Sequence, residues 1–144
     1  MKNILVILIA LSVAAMAEFS RLAAGVVTDS ATGLQWQDDY SDNNGTVKTA
    51  TWIEAIDYCE NLSLDGGGWR LPNIRELNSI VDLAVDPAID PVFVHTASYG
   101  YWSATTLADF TDYAWYVYFN DGYRNSYYKR NDGYVRCVRS RQPE

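Results

Sequence analysis

Histidine occurs once in this chain and cysteine twice, and the apolar run Ile4–Val13 spans only ten residues. Each scarcity removes a class of function. His95 lies in an irregular, proline-containing stretch, where a lone histidine is more often incidental than catalytic. No Ser-His-Asp set, metal-ligand spacing or glycine-rich phosphate loop accompanies it, so the chain reads as a non-enzyme with no cofactor and no metal. A ten-residue run is too short to cross a bilayer, and nothing later compensates, so no transmembrane segment is expected in the mature chain. Basic residues are also sparse. Between Glu18 and Phe119 there are 15 acidic and 4 basic side chains, net −11, against −7 for the whole chain. An acidic body of this kind argues against general nucleic-acid binding.

The early apolar run has an address-like context. Lys2 precedes it and Ala15-Met16-Ala17 follows as a small-x-small site, so residues 1–17 read as a Sec-type signal peptide cleaved after Ala17. The expected product is secreted or periplasmic, and residues 18–144 form a single domain. Its 127 residues suffice for a core that buries about two thirds of the unfolded surface. In such a chain Cys59 and Cys137 are expected to form a disulfide. The alternative, a reactive thiol, needs a neighbouring base that a single histidine scarcely supplies.

What is present is organised around Gly66–Leu77. Three glycines permit a tight loop, Trp69 and Leu71 alternate with Arg70 as a short half-buried strand, and Pro72 breaks it. Asn73 with Glu76 then has capping-box spacing, predicting a helix from Asn73 to about Leu83. Thr51 with Glu54 repeats the signal for a helix over Thr51–Leu62, placing Cys59 on its apolar face. Val26–Gln37 reads as two short strands, with Leu34 and Trp36 on a buried face. The polar loop from Asp38 to Gly45 fails as a calcium loop. With Gly45 at the invariant glycine, Tyr40 and Thr51 fall where carboxylates are required.

Composition changes after Tyr99, where 36 residues to Tyr134 carry 13 of the 20 aromatics. Ala114–Asn120 alternates, predicting Trp115, Val117 and Phe119 inward and Tyr116, Tyr118 and Asn120 outward. Asp121-Gly122 and Asp132-Gly133 are hairpin signals, so a meander of Ala114–Asn120, Tyr123–Arg130 and Tyr134–Arg139 is expected. The last strand would carry Cys137 inward. Charge changes as well. From Asn120 to Glu144 there are 3 acidic and 6 basic residues, net +3, which points to a local basic face for an acidic partner.

Four ordered motifs resemble the Lcl C-terminal domain family, named for the C-terminal domain of a bacterial collagen-like adhesin. They are Thr32-Gly33-Leu34-Gln35-Trp36, then Trp69-Arg70-Leu71-Pro72 with Glu76-Leu77, then Tyr101-Trp102-Ser103-Ala104-Thr105, then Val135-Arg136-Cys137-Val138-Arg139. They cover about Gly25 to Arg139. The resemblance implies an α+β, C-type-lectin-like fold. In it two helices pack on a mixed, mainly antiparallel sheet, with one disulfide from the first helix to the final strand. It also implies adhesion, with sulfated glycosaminoglycan as the adhesin's ligand class. The Gly-X-Y repeat of that adhesin is absent, which leaves the oligomeric state open. The Glu-Pro-Asn, Gln-Pro-Asp and Trp-Asn-Asp tripeptides of calcium-dependent lectins are absent too.

A secreted, non-catalytic ligand-binding module is therefore expected. Its candidate face is Tyr116, Tyr118, Asn120, Tyr123, Arg124, Asn125, Tyr127, Lys129 and Arg130. Tyrosine and asparagine on a rigid sheet offer amphipathic contact at low entropic cost, and the basic side chains suit sulfate or carboxylate groups. The expected partner is an anionic glycan, or a cell-surface protein with an acidic patch. The alternatives are a structural or protein-binding envelope subunit, whose Tyr/Asn-rich segment would suit a retroelement-diversified receptor binder, and a two-carboxylate glycosidase. Eighteen acidic residues make some carboxylate pair inevitable, so the last reading gains nothing from composition.

Overall fold

The computed structural model of the protein describes residues 18–140, and the expected leader at 1–17 lies outside them. Within that range the chain forms β1 (Phe19–Arg21), β2 (Val26–Asp29), β3 (Leu34–Gln37) and β4 (Thr49–Ala50), then α1 (Trp52–Asn61) and α2 (Ile74–Ser79). It ends with β5 (Gly100–Thr106), β6 (Tyr113–Tyr118), β7 (Arg124–Tyr128), β8 (Gly133–Tyr134) and β9 (Val138–Ser140). The class is α+β, with two helices, mixed pairing and one disulfide. The strands make two sheets where one was expected: β1-β2-β3-β9 and β4-β8-β5-β6-β7. The final segment causes the division, because β8 enters the second sheet and β9 the first. Tyr134–Arg139 is thus not one strand. Cys137 sits in the crossing and joins Cys59 on α1, with Cα atoms 5.5 Å apart.

Both helices start where their local chemistry dictates. Asn73 Oδ1 accepts from the Glu76 N–H at 2.8 Å, and Glu76 Oε1 accepts from the Asn73 N–H at 3.0 Å. At α1, the Glu54 carboxylate accepts from the Thr51 N–H at 3.0 Å. α2 stops short of Leu83 because the chain turns back on itself. Val81 bridges to Ile89, and the Asp82 N–H donates to the Ala88 carbonyl at 2.9 Å.

The organising stretch contributes one bridge, Arg70 to Val138, instead of a strand. Trp69 is buried, its Nε1 donating to the Leu64 carbonyl at 2.8 Å and its ring lying 4.3 Å from the Arg139 guanidinium. β3 buries Gln35 and Gln37 as well as Trp36, so it is not the one-faced strand expected. Both amides are satisfied: Gln35 Oε1 accepts from Arg139 Nε at 3.0 Å, and Gln37 Nε2 donates to Tyr58 Oη at 2.9 Å.

The five-stranded sheet separates two cores. Trp102, Ala114 and Tyr116 pack toward Ala55, Cys59, Trp69 and Cys137. Tyr101, Val117 and Phe119 pack toward Leu77, Ile80, Trp36 and Val138. From Tyr116 to Phe119 successive side chains therefore alternate between two cores rather than between core and solvent. Val117 and Phe119 face a core and Asn120 faces solvent as expected, whereas the orientations expected of Trp115 and Tyr116 are corrected. Tyr116 is only 5% exposed, while Trp115 is half-buried.

Candidate functional site

The aromatic segment builds its site by crossing the sheet. β6 and β7 form the hairpin that Asp121-Gly122 signals, with Gly122 at φ +81° and its N–H donating to the Tyr118 carbonyl at 2.7 Å. Asp132-Gly133 is not a second hairpin. After β7 the chain passes to the far side of β5, and β8 pairs there in parallel, with Tyr134 opposite Tyr101. Gly133 serves close approach instead of a turn, since a Cβ on it would lie 2.7 Å from Trp102 Nε1. Gly100 does the same on β5, where a Cβ would lie 1.8 Å from Tyr116 Cε2.

This crossing gathers Tyr116 and Tyr118 from β6, Tyr127 from β7, Tyr134 from β8 and Tyr99 from just before β5 around one cleft of about 430 Å³. Thr49 and Asp132 add polar groups to its lining, and Gly100 and Gly133 expose backbone to it. The rings hold each other in two sets. Tyr116 stacks on Tyr127 at 4.8 Å and meets Tyr118 edge-on at 4.8 Å. Tyr99 stacks on Tyr134 at 6.2 Å. Burial, and then the neighbouring Tyr118 hydroxyl, push the Tyr116 phenol above its ordinary value of 10.0, so it stays neutral across the physiological range.

Of the nine expected site residues, the structure brings Tyr116, Tyr118 and Tyr127 together in the cleft. Asn120 and Tyr123 stand exposed at the hairpin tip. Asn125 is exposed on β7, where its Oδ1 accepts from the Ser126 N–H at 2.8 Å. Arg124 pairs with Val117 across the hairpin and so lies on the opposite face, its guanidinium 5.9 Å from the Trp115 ring. Lys129 is engaged rather than free: Nζ sits 3.9 Å from the Trp52 ring and donates to Thr106 Oγ1 at 2.9 Å. Arg130 is exposed but does not line the cleft. Sequence reasoning missed Tyr99, Tyr134, Thr49 and Asp132. The aromatic density around Tyr99 and Tyr134 was visible, but the parallel pairing that brings them together leaves no local pattern.

Among the described residues, the expected basic end is only in part a basic surface. Arg136 is fully buried, 3.0 Å from Asp38 Oδ1, donating at 2.6 Å to the carbonyls of Gln37 and His95. Its guanidinium lies 4.7 Å from the Phe93 ring and 5.7 Å from the Tyr101 ring. Asp38 also pairs with Arg21. Arg139, 2% exposed, pairs with Asp65 at 2.7 Å and donates at 2.7 Å to the Gly67 carbonyl. Both arginines hold the fold together and present no charge to a partner.

A second hollow of about 510 Å³ runs along α1, where Asp42, Glu54 and Asp57 face Lys48 and Tyr58 is the sole aromatic ring. Tyr58 Oη is already engaged, donating to Asp42 Oδ1 at 3.2 Å. Among the described residues, no group of three or more His, Cys, Asp or Glu is placed to hold a metal ion, and no helix is long and apolar enough to cross a membrane. The tyrosine cleft combines aromatic walls with a few convergent polar groups, the usual composition of a small-ligand site. A model of the Lcl C-terminal domain matches residues 25–139, and no curated protein matches the chain.

Proposed function

The chain belongs to the Lcl C-terminal domain family, and on that premise we propose that it is a non-catalytic surface module that binds glycans in the tyrosine cleft. The observation that carries this reading is the convergence of five tyrosines, from four separate chain segments, on one cleft of about 430 Å³. Apolar faces of a pyranose ring pack on phenol rings, while phenol hydroxyls, Thr49 and Asp132 exchange hydrogen bonds with sugar hydroxyls. The rings are already fixed by mutual stacking, so little side-chain entropy is lost on binding. Family membership supports an adhesin-like role, and the Cys59–Cys137 bond suits an oxidising compartment outside the cytoplasm.

The finer fold assignment, C-type-lectin-like, is part of the same proposal. It draws on two helices, a mixed sheet and a disulfide from α1 to the C-terminal crossing. An anionic ligand has less support than the charge count suggested. Arg136 and Arg139 are buried, and Arg124, Lys129 and Arg130 do not line the cleft. A protein-binding envelope subunit is the second reading. It draws on Phe110, 65% exposed, which with Leu107 and Tyr113 forms a shallow hollow on the other side of the β6–β7 hairpin.

A glycan array probed with wild type and Tyr118→Ala tests the primary reading. Wild type should retain a set of glycans that the variant loses, and bound oligosaccharides should be recovered intact. An empty array, equal binding by the variant, or cleaved oligosaccharides would each refute it.

A further inference from the structure

Asp132 is the one charged side chain lining the tyrosine cleft. It is exposed, and it enters none of the ion pairs among the described residues. Its nearest basic neighbours in sequence do not neutralise the site. Lys129 is held against Trp52 and Thr106, and Arg130 stands outside the lining. The cleft thus presents five phenol rings and one carboxylate, with no cation of its own. Phenol rings attract cations through their negative faces, and phenol oxygens, the Thr49 hydroxyl and a carboxylate all accept from an ammonium group. The protein already uses the first of these attractions internally, at Lys48 over Tyr58 and Arg136 over Tyr101. An anionic group would gain nothing from the rings and would be repelled by Asp132.

We propose that the cleft selects saccharides carrying a protonated amine, with the sugar ring against the tyrosines and the ammonium shared between them and Asp132. This inference rests on the glycan-binding reading and adds the ligand's charge, opposite in sign to the one the chain's basic end suggested. Selectivity comes from the pairing of Asp132 with the rings. The rings alone accept neutral sugars, whereas the added carboxylate favours the cationic form over its acetylated counterpart. Because Asp132 is exposed, the preference weakens as salt rises.

The test is calorimetric titration of wild type, Asp132→Asn and Tyr118→Ala with glucosamine oligomers and with N-acetylglucosamine oligomers of equal length. Wild type should prefer the amine form by about tenfold, the range expected of a partly desolvated cation–ring contact with a carboxylate beside it. Asp132→Asn should remove that preference, lowering affinity for the amine oligomer about tenfold more than for the acetylated one. Tyr118→Ala should weaken both. Equal or tighter binding of the acetylated oligomer by wild type would overturn the amine selectivity and leave the glycan reading standing. A preference that survives in Asp132→Asn would overturn the role of the carboxylate. Absence of binding by either oligomer would overturn the selectivity proposed for both.

Discussion

Tyr116 and Tyr127 lie face to face across the β6–β7 hairpin, with ring centroids 4.8 Å apart and planes 2° from parallel. Tyr127 pairs directly with Ala114, so the two tyrosines are diagonal neighbours on one sheet face. The same Tyr116 ring closes over Gly100 on its other flank. One residue is thereby both a core member and a cleft wall, which ties the geometry of the site to the stability of the sheet.

Gly100→Ala should damage both. The new Cβ would fall 1.8 Å from Tyr116 Cε2, and the ring cannot retreat without breaking its stack on Tyr127. Overpacking of this kind destabilises by about 1–3 kcal/mol. A chemical-denaturation midpoint equal to that of wild type would show that the Tyr116 ring is not confined.

Asp38→Ala should be among the most damaging single substitutions. The carboxylate is fully buried between Arg136 and Arg21, and it accepts the N–H groups of Val94 at 2.8 Å and His95 at 3.1 Å. Its removal leaves the Arg136 charge buried and uncompensated, at about 3–5 kcal/mol. A loss below about 1 kcal/mol in urea unfolding would mean that Arg136 finds another partner or reaches water.

The two adjacent cations of the β7–β8 crossing should behave differently. Lys129→Ala loses the contact with Trp52 and the bond to Thr106, worth about 0.5–1 kcal/mol. Arg130 is exposed, and its replacement by alanine should stay within about 0.5 kcal/mol of wild type. Equal midpoints for the two variants would contradict this assignment.

The α2 cap predicts a modest acid sensitivity. The Arg70 guanidinium, and after it the Asn73 N–H, hold the Glu76 carboxyl below its ordinary value of 4.5. A carboxyl lowered in the folded state contributes stability that is fully present above the unfolded value and lost as pH falls through the folded one. Arg70 is half-exposed, so the contribution is about 0.5 kcal/mol. Glu76→Gln keeps a capping partner and should lie below wild type at pH 7 but meet it near pH 3. A gap of the same size at both values would sink this account.

What was legible in the sequence is what short-range chemistry determines. The Thr51/Glu54 and Asn73/Glu76 spacings specify their helix starts within four residues, and the two cysteines specify their own bond. The β6 pattern was misread because tyrosine suits a core wall as well as an open face, so alternation of aromatics cannot tell one-sided burial from two-sided. Asp132-Gly133 matches a hairpin, yet its glycine makes room for the Trp102 indole, a contact 31 positions distant that no local pattern announces. Charge counting failed for a related reason. The partners of Arg136 and Arg139 lie 98 and 74 positions upstream, at Asp38 and Asp65, and only the folded chain reveals those pairs. The cleft shares this dependence on long-range pairing: Tyr134 reaches it through the parallel match of β8 with β5.

The location of saccharide binding tests the central claim most directly. In amide-resolved NMR, titration of the oxidised domain with a retained oligosaccharide should shift Gly100 and Gly133, whose backbones line the cleft, together with Tyr99, Tyr118 and Tyr134. Signals of Asn120, Tyr123 and Arg124 at the hairpin tip and far face should stay in place, as should Asp57 and Tyr58 along α1. Shifts confined to the hairpin tip, to α1, or to none of these residues would contradict the tyrosine cleft as the binding site.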